Sequence, residues 1–197
     1  EWFNRVAKEI HSGSIAVAHH ADDSIETFFL NLVRGTGLKG LTGIDAKNGN
    51  IVRPLLTCTR QEIEKYAKIN NLQYVFDSTN ASNDYSRNKI RNQVIPLLSD
   101  INPSVSQTFM ENIIRLRGIR KIYEAKIQNI KEKVLSEKEE NIYIDIEELK
   151  KQADIQTVLY EVLNEYNFNS KTIREIVSGL EHNSGLQYAS PTHRLLK

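Results

Sequence analysis

Ile15-Ala16-Val17-Ala18-His19-His20-Ala21-Asp22-Asp23-Ser24-Ile25-Glu26-Thr27 is the stretch whose reading decides the fold. Small or β-branched apolar residues come first, and two histidines, two aspartates and a glutamate follow at once. A brief apolar run bounded by polar residues suits a buried parallel strand, so Ile15 to Ala18 reads as a strand. Ile25, Phe28, Phe29, Leu32 and Val33 then recur at helical spacing. The polar cluster therefore sits on a strand-to-helix turn. In open α/β sheets ligands bind there, where strand ends meet helix N-termini.

Outward from that turn, Asp23-Ser24-Ile25-Glu26 carries an acidic N-cap with a glutamate three residues on, which predicts a helix starting at Asp22 or Asp23. Arg34 suits the negative end of the helix dipole, and Gly35 suits the C′ position. Gly35, Gly37, Gly40 and Gly43 form a flexible connection that carries Lys39. Asn48-Gly49 reads as a turn and Ile51 to Leu56 as a second strand, with Pro54 toward an edge or its end. Thr59-Arg60-Gln61-Glu62 is a second capping box, and it opens a helix through Ile63, Tyr66, Ala67 and Ile69 that Asn70-Asn71 closes. Tyr74 to Phe76 is expected to be a short strand ending in Asp77, followed by a polar loop from Ser78 to Ser86. Upstream, Trp2, Phe3, Val6 and Ile10 form a helical stripe with no cap before it, so Glu1 is not expected to be the native start.

Arg87-Asn88-Lys89-Ile90-Arg91 reads as a basic helix that Pro96 bends or ends. Asn102 then caps, with Pro103 at N1, and a long helix begins. Phe109, Ile113, Leu116, Tyr123, Ile127, Ile130 and Val134 give it a near-heptad seam. At the usual rise it would run roughly 45 Å, a spine leading from one domain into the next. From Asn141 the texture changes. A strand over Ile142 to Ile146 is expected, then helices near Glu147 to Lys151, Ile155 to Tyr166 and Ser170 to Leu180, then strands near Leu186 to Ala189 and His193 to Leu196. The expected organisation is an α/β parallel-sheet domain over residues 1–100 and a mainly helical α+β domain over 101–197.

Composition bounds the function classes. The 197 residues, 40% of them hydrophobic, suffice for one large domain or two small ones. Lys and Arg number 26 against 25 Asp and Glu, so net charge argues neither for nor against a nucleic-acid partner. Cys58 is the single cysteine, so no intrachain disulfide can form and a reducing cytoplasm is the natural home. Cys58 is expected to act as a buried small apolar residue. No apolar run reaches membrane-spanning length and no signal peptide is visible.

Three features carry chemistry. Asp23 and Glu26 share one face of a first helical turn, with Asp22, His19 and His20 beside them. Alone, such a carboxylate pair is more often a cap. As a cluster it suits Mg2+ binding, or a substrate amine whose proton a histidine moves. Zinc is a poor fit, because adjacent histidines on a strand point to opposite faces. The glycine series, with Arg34 and Lys39, lacks both the Walker A and the dinucleotide patterns, and it suits either a C-cap loop or a segment ordered around phosphates. Arg87 and Arg91 share a helix face, as a solvated basic surface or as a phosphate clamp. Between Ser86 and Lys126 eight Lys or Arg stand against three acids, a local excess that suits an RNA backbone.

Taken together, His19 to Thr27, Arg34 to Leu41, Arg53-Pro54-Leu55-Leu56, Arg60 to Ile63, Asp77 to Asn80, Tyr85 to Asn88 with Ile90-Arg91, and Pro96 resemble the tRNA(Ile)-lysidine synthetase family of the PP-loop ATP pyrophosphatase group. The match is strong over roughly the first hundred residues and loose beyond, with Gly185 and Thr192-His193-Arg194 as echoes. The resemblance implies a partial Rossmann-like PP-loop sheet domain followed by a helical tRNA-binding domain. It implies ATP with Mg2+ as cofactors, free L-lysine and a CAU-anticodon isoleucine tRNA as partners, and a cytoplasmic enzyme without a membrane; a homodimer is one arrangement it allows. The implied reaction is adenylation of the wobble cytidine at its carbon 2 carbonyl oxygen, followed by attack of the lysine side-chain amine and departure of AMP. On that resemblance His19, Asp23 and Arg87 are catalytic candidates. Asp22, Glu26, Arg34, Gly35, Gly37, Asn80, Asn88 and Arg91 are substrate-binding candidates, and any metal ligands stay unassigned.

The family's Ser-Gly-Gly-x-Asp-Ser phosphate loop does not occur, since Ser12-Gly13-Ser14 precedes a strand and does not follow one. The chain is therefore expected to lack an N-terminal segment, to bind ATP poorly and to be inactive alone. Two other readings stand beside this one. Another tRNA-modifying or amide-forming member of the same group is one, although a thiolase would need more than Cys58. The other is a non-catalytic RNA-binding module.

Overall fold

Ile15–Ala16 forms strand β1, and it pairs in parallel with β3 (Ile51–Val52), Ile15 opposite Ile51 and Ala16 opposite Val52. The computed structural model describes residues 2–75, 86–139, 141–182 and 184–197. The amide of Val17 reaches the Val52 carbonyl at 2.9 Å, so the ladder runs to the edge of the polar turn. Strand β2 (Lys47–Asn48) pairs antiparallel on the far side of β3, giving the order β1-β3-β2. The hairpin turns at Gly49, whose φ of 59° is the left-handed conformation that glycine supplies without strain. The second strand is shorter than its apolar run predicts. Pro54 has no N–H to add to the ladder, and a turn begins there.

Helix α1 (Trp2–Glu9) precedes this sheet, with Ala7 as its buried residue. Trp2 and Phe3 of the predicted stripe are 60% and 65% exposed. Helix α2 (Ala21–Arg34) follows β1. Its N-cap is His20, not an aspartate, and Asp23 sits at N3 with its carboxylate turned back onto the His20 amide at 2.9 Å. Ala21, Ser24 and Ile25 are buried along its inner face, and Phe28 and Phe29 stack on Phe109 with ring centroids 5.5 and 4.7 Å apart. Leu32 and Val33 complete the periodic face in sequence but are exposed. Gly35 is the C-cap, at φ 79°.

A 3-10 turn, Leu38–Thr42, leads into the β2–β3 hairpin. Helix α3 (Arg60–Ile69) begins with the capping box read from the sequence: Glu62 N–H donates to the Thr59 hydroxyl and Thr59 N–H to the Glu62 carboxylate. Cys58 is half-buried. Tyr74 and Val75 are irregular and exposed, and the rest of that expected strand, with Asp77 and Asn80, lies outside the described residues.

Residues 86 to 101 form one helical run with a widened middle: α4 (Ser86–Lys89), a π turn (Ile90–Val94) and α5 (Ile95–Ile101). Pro96 neither ends nor breaks it. The Ile95 amide bonds five residues back to Ile90, and the wider turn makes room for the proline ring next to it.

Helix α6 (Val105–Val134) spans 30 residues, and the whole predicted seam on it is buried or half-buried. The chain divides into two compact units, Glu1–Arg120 and Lys121–Lys197, so the division falls inside α6, later than the boundary near residue 100 expected from sequence. In the second unit β4 (Leu135–Lys138) and β5 (Asn141–Ile144) form an antiparallel hairpin. Then come α7 (Ile146–Lys150), α8 (Ile155–Leu163) with a 3-10 turn to Tyr166, and α9 (Ser170–Gly179). Strands β6 (Gln187–Ala189) and β7 (Arg194–Leu196) close the unit. Asp145, Asp154 and Asn169 each cap the helix after them by accepting backbone N–H groups. The core gathers Ile130, Val134, Leu149, Val158, Leu159, Val162, Leu163, Phe168, Ile173 and Ile176. Tyr123 donates to Glu161 at 2.9 Å, and burial next to that carboxylate pushes its hydroxyl up to about 12. Among the described residues no helix is long and apolar enough to cross a membrane.

Leu159 is 1% exposed at the centre of the second core. Leu159→Ala is expected to lower stability by about 2–5 kcal/mol, through lost transfer energy and the cavity left behind. Urea unfolding followed by circular dichroism checks this, and a change under about 1 kcal/mol would show that the core collapses around the gap.

Candidate functional site

The turn after β1 and the first two turns of α2 carry the predicted cluster, and burial decides what each member does. Glu26 is fully buried at 0% exposure. A buried carboxylate is tolerable only when paired and hydrogen-bonded. Arg91 supplies the pairing with two parallel bonds, Nε to Oε1 at 2.6 Å and Nη2 to Oε2 at 3.0 Å. Arg87 adds its Nε at 3.5 Å from Oε2, and its Nη2 donates to Thr27 Oγ1 at 2.9 Å. Glu26 holds the Arg91 guanidinium above its usual range against the opposing effect of burial. Arg87 on α4 and Arg91 on the π turn both reach Glu26 on α2, and such bulges frequently sit at functional sites.

Asp23 is 8% exposed. One oxygen accepts the His20 amide, and the other lies 3.8 Å from Arg91 Nη2. Asp22 turns away from that pair. Its Oδ2 accepts the Arg60 amide at 2.8 Å, so it stands at the positive end of α3. The His20 ring lies 3.4 Å from Asp22 and 3.5 Å from Asp23. Asp22 raises the His20 pKa against desolvation, with Asp23 and Glu26 assisting; reciprocally, His20 and then the Arg60 amide lower that of Asp22. At 3.4 Å the His20–Asp22 contact is an electrostatic one; His20 Nδ1 makes no well-formed hydrogen bond. A second backbone bond, Ala21 N–H to Cys58 carbonyl at 2.8 Å, docks the start of α2 onto the residues before α3.

His19 is half-buried, and its Nδ1 accepts from Arg53 Nε at 3.2 Å. Asn88 is buried at 9% exposure on α4. The structure thus brings His19, His20, Asp22, Asp23, Glu26, Arg87, Asn88 and Arg91 to the α2 N-terminus and the helical run that packs on it. Arg34, Gly35 and Gly37 are not part of this cluster. They are exposed at the opposite end of α2, roughly 16 Å along the axis at the usual helical rise. Asn80 lies outside the described residues. Among the described residues no group of three His, Cys, Asp or Glu side chains is arranged to hold a metal ion.

The basic excess after Ser86 changes meaning as well. Arg87 and Arg91 serve Glu26. Arg117 donates to the carbonyls of Thr42 and Ile44 at 3.0 and 2.6 Å, and desolvation lowers its pKa. Arg120 meets the Thr42 hydroxyl and the Asp45 carboxylate, each at 3.2 Å. These four arginines are turned inward, whereas Lys89, Arg115, Lys121 and Lys126 are exposed. Arg53 and the 42–45 loop are the part of the site that sequence reasoning missed. The one available signal was Arg53 itself, directly after an apolar strand run.

Comparison with known proteins identifies the family. A family described as "PP-loop domain" matches residues 1–98, and one described as "TilS substrate binding domain" matches residues 137–197. A Bacteroides thetaiotaomicron protein named tRNA(Ile)-lysidine synthase is 40% identical over 196 residues, covering 100% of this chain and 45% of that protein. A protein of the same name from Porphyromonas gingivalis is 38% identical over 198 residues, covering 100% of this chain and 43% of its own length. One from Francisella tularensis is 36% identical over 188 residues, covering 89% and 45%. The chain thus spans somewhat under half the length of these curated relatives. With a PP-loop domain first, a TilS substrate-binding domain after it and such identity along the whole chain, the protein belongs to the tRNA(Ile)-lysidine synthase family.

Proposed function

We propose that the protein takes part in ATP-dependent ligation of lysine to the wobble cytidine of a CAU-anticodon isoleucine tRNA. The observation that carries this reading is the pairing of the buried carboxylates Asp23 and Glu26 with the half-buried Arg91 and Arg87 at the α2 N-terminus, beside the end of a parallel strand. Relatives named tRNA(Ile)-lysidine synthase support the substrate class.

The chemistry runs in two steps. The carbon 2 carbonyl oxygen of cytidine attacks the α-phosphorus of ATP, and pyrophosphate leaves. The lysine side-chain amine then attacks carbon 2, AMP leaves with the oxygen, and the amine gives up a proton. Negative charge builds on phosphoryl oxygens in both steps, and preorganised cations stabilise it most where water is excluded. Arg87, half-buried beside Glu26, is placed to do this, with Arg91 held behind it. Asp23 and His19 act at the reacting end, in amine positioning and proton transfer. Glu26 and Asp22 set the negative potential that draws the cationic side chain in. Asn88 belongs to the substrate wall on this reading, and Arg34, Gly35 and Gly37 to a separate tRNA-facing loop; Asn80, a substrate-binding candidate from its sequence, lies outside the described residues. Mg2+ accompanies ATP on this reading, and among the described residues no group of three His, Cys, Asp or Glu side chains builds a site for it. The second unit binds tRNA, as the name of its matching family suggests.

The decisive test is nucleoside mass spectrometry after incubating full-length protein with ATP, Mg2+, lysine and the CAU-anticodon tRNA. Lysidine should appear and should depend on all three substrates. Its absence, with tRNA binding retained, would favour an RNA-binding module. Asp23→Asn should lower turnover at least tenfold with the fold intact, and unchanged turnover would remove Asp23 from the reaction. Arg91→Ala should instead cost about 3–5 kcal/mol of stability, because it strands a buried carboxylate. Thermal melting with and without Glu26→Gln separates these effects, since neutralising Glu26 should recover much of the loss in Arg91→Ala.

A further inference from the structure

Arg53 follows β3 and makes three bonds. Its amide donates to the Ala46 carbonyl at 2.9 Å, its Nη1 to the Asp45 carbonyl at 2.7 Å, and its Nε to His19 Nδ1 at 3.2 Å. The first two are enough to hold the loop. The third has a chemical consequence for the histidine. A guanidinium only donates hydrogen bonds and keeps its charge at any working pH. His19 Nδ1 must therefore offer its lone pair, and in the neutral ring the proton then sits on Nε2. Among the described residues Nε2 has no hydrogen-bond partner. His19 thus presents a single N–H, outward from a ring whose other nitrogen is occupied.

The loop that seats Arg53 is itself held from the other side. Arg117 binds the carbonyls of Thr42 and Ile44, and Arg120 bridges the Thr42 hydroxyl and the Asp45 carboxylate. Thr42 is fully buried. Arg53 therefore has little freedom to let His19 turn over.

We infer that Arg53 is a positioning residue that locks His19 in the Nε2–H form, so that His19 donates a hydrogen bond to the reacting group and Asp23 is left as the proton acceptor. This rests on the ligase reading above, in which His19 faces the reacting nucleotide. The two can fail separately, because the tautomer is a property of the protein alone.

The experiment uses full-length protein with 15N-labelled histidine. Two-bond proton–nitrogen correlations assign the His19 ring. The wild type should show the Nε2–H pattern, and Arg53→Met should show a tautomer mixture; an unchanged pattern in Arg53→Met would overturn the lock. In turnover, Arg53→Met should lower kcat on the order of tenfold to a hundredfold, as for partners that orient functional histidines, with the KM for lysine little changed. That loss should vanish in a His19→Ala background, because the two residues act as one unit. A loss of the same size in that background would assign Arg53 a merely structural role. His19→Gln keeps an N–H near the Nε2 position and should retain more activity than His19→Asn, which does not. Equal loss in both would make His19 a base and overturn the donor role. Full activity in His19→Ala, with the tautomer pattern as expected, would overturn the ligase reading of His19 and the proposal with it.

Discussion

The first unit depends on one interaction, the buried ion pair between Glu26 and Arg91. A carboxylate at 0% exposure cannot be solvated, so its charge has to be met by protein groups. Arg91 meets it in a bidentate geometry that a lysine, as a point charge, could not reproduce. That requirement fixes how the 86–101 helical run lies on α2. The π turn answers a different demand: a regular helix through Ile90–Val94 would place Pro96 against an intact ladder. Replacing such a pair with apolar residues is often neutral or better for stability. A site that needs charge therefore gives a reason for this pair that stability alone does not.

The N-terminus of α2 shows the same economy. Helix N-termini attract anions because their first amides lack partners. Here the anions come from the chain. Asp23 covers the amide of the cap residue His20, and Asp22 reaches across to the first amide of α3. Two helix starts are thus held together by neighbouring carboxylates, with His20 between them at 3.4 and 3.5 Å. Helix capping and a reactive acidic turn are here two consequences of one placement, which is why the bland reading and the functional reading of Asp-x-x-Glu were hard to separate in the sequence.

Legibility followed locality. The Thr59–Glu62 box and the Gly35 cap use partners within a turn, and the α6 seam shows itself through its own spacing although its partners are distant, so the sequence displays all three. The expected α2 start lies one or two residues late, because the Asp23-to-Glu26 spacing mimics a capping box while the cap residue is His20. Strand β4 was not foreseen. Leu135–Lys138 continues the composition of the helix before it, and only pairing with β5 makes it extended. Arg117 and Arg120 belong by charge to a basic face for RNA, yet both bond the end of the 3-10 turn and the loop after it. Charge type is visible in sequence; the direction in which a long side chain turns is settled by partners more than seventy residues away.

That loop shows why such partners work at all. Arg117 and Arg53 bind its carbonyls, so their grip depends on backbone path, while Arg120 adds bonds to the Thr42 hydroxyl and the Asp45 carboxylate. Gly43 is constrained in another way. Its φ of 67° is strained for any other residue, and a Cβ there would sit 3.1 Å from Ser24 Cβ and 3.3 Å from the Ser24 carbonyl. Ser24 is fully buried on α2, between Asp23 and Glu26 in sequence. The absence of one side chain at Gly43 therefore lets the loop close on the helix that bears the carboxylates. From the same loop, carbonyls reach Arg53, and Arg53 reaches His19. The acidic side and the histidine side of the site are thus both referred to one backbone segment, so their spacing is set by its path and not by the flexible side chains that line the turn.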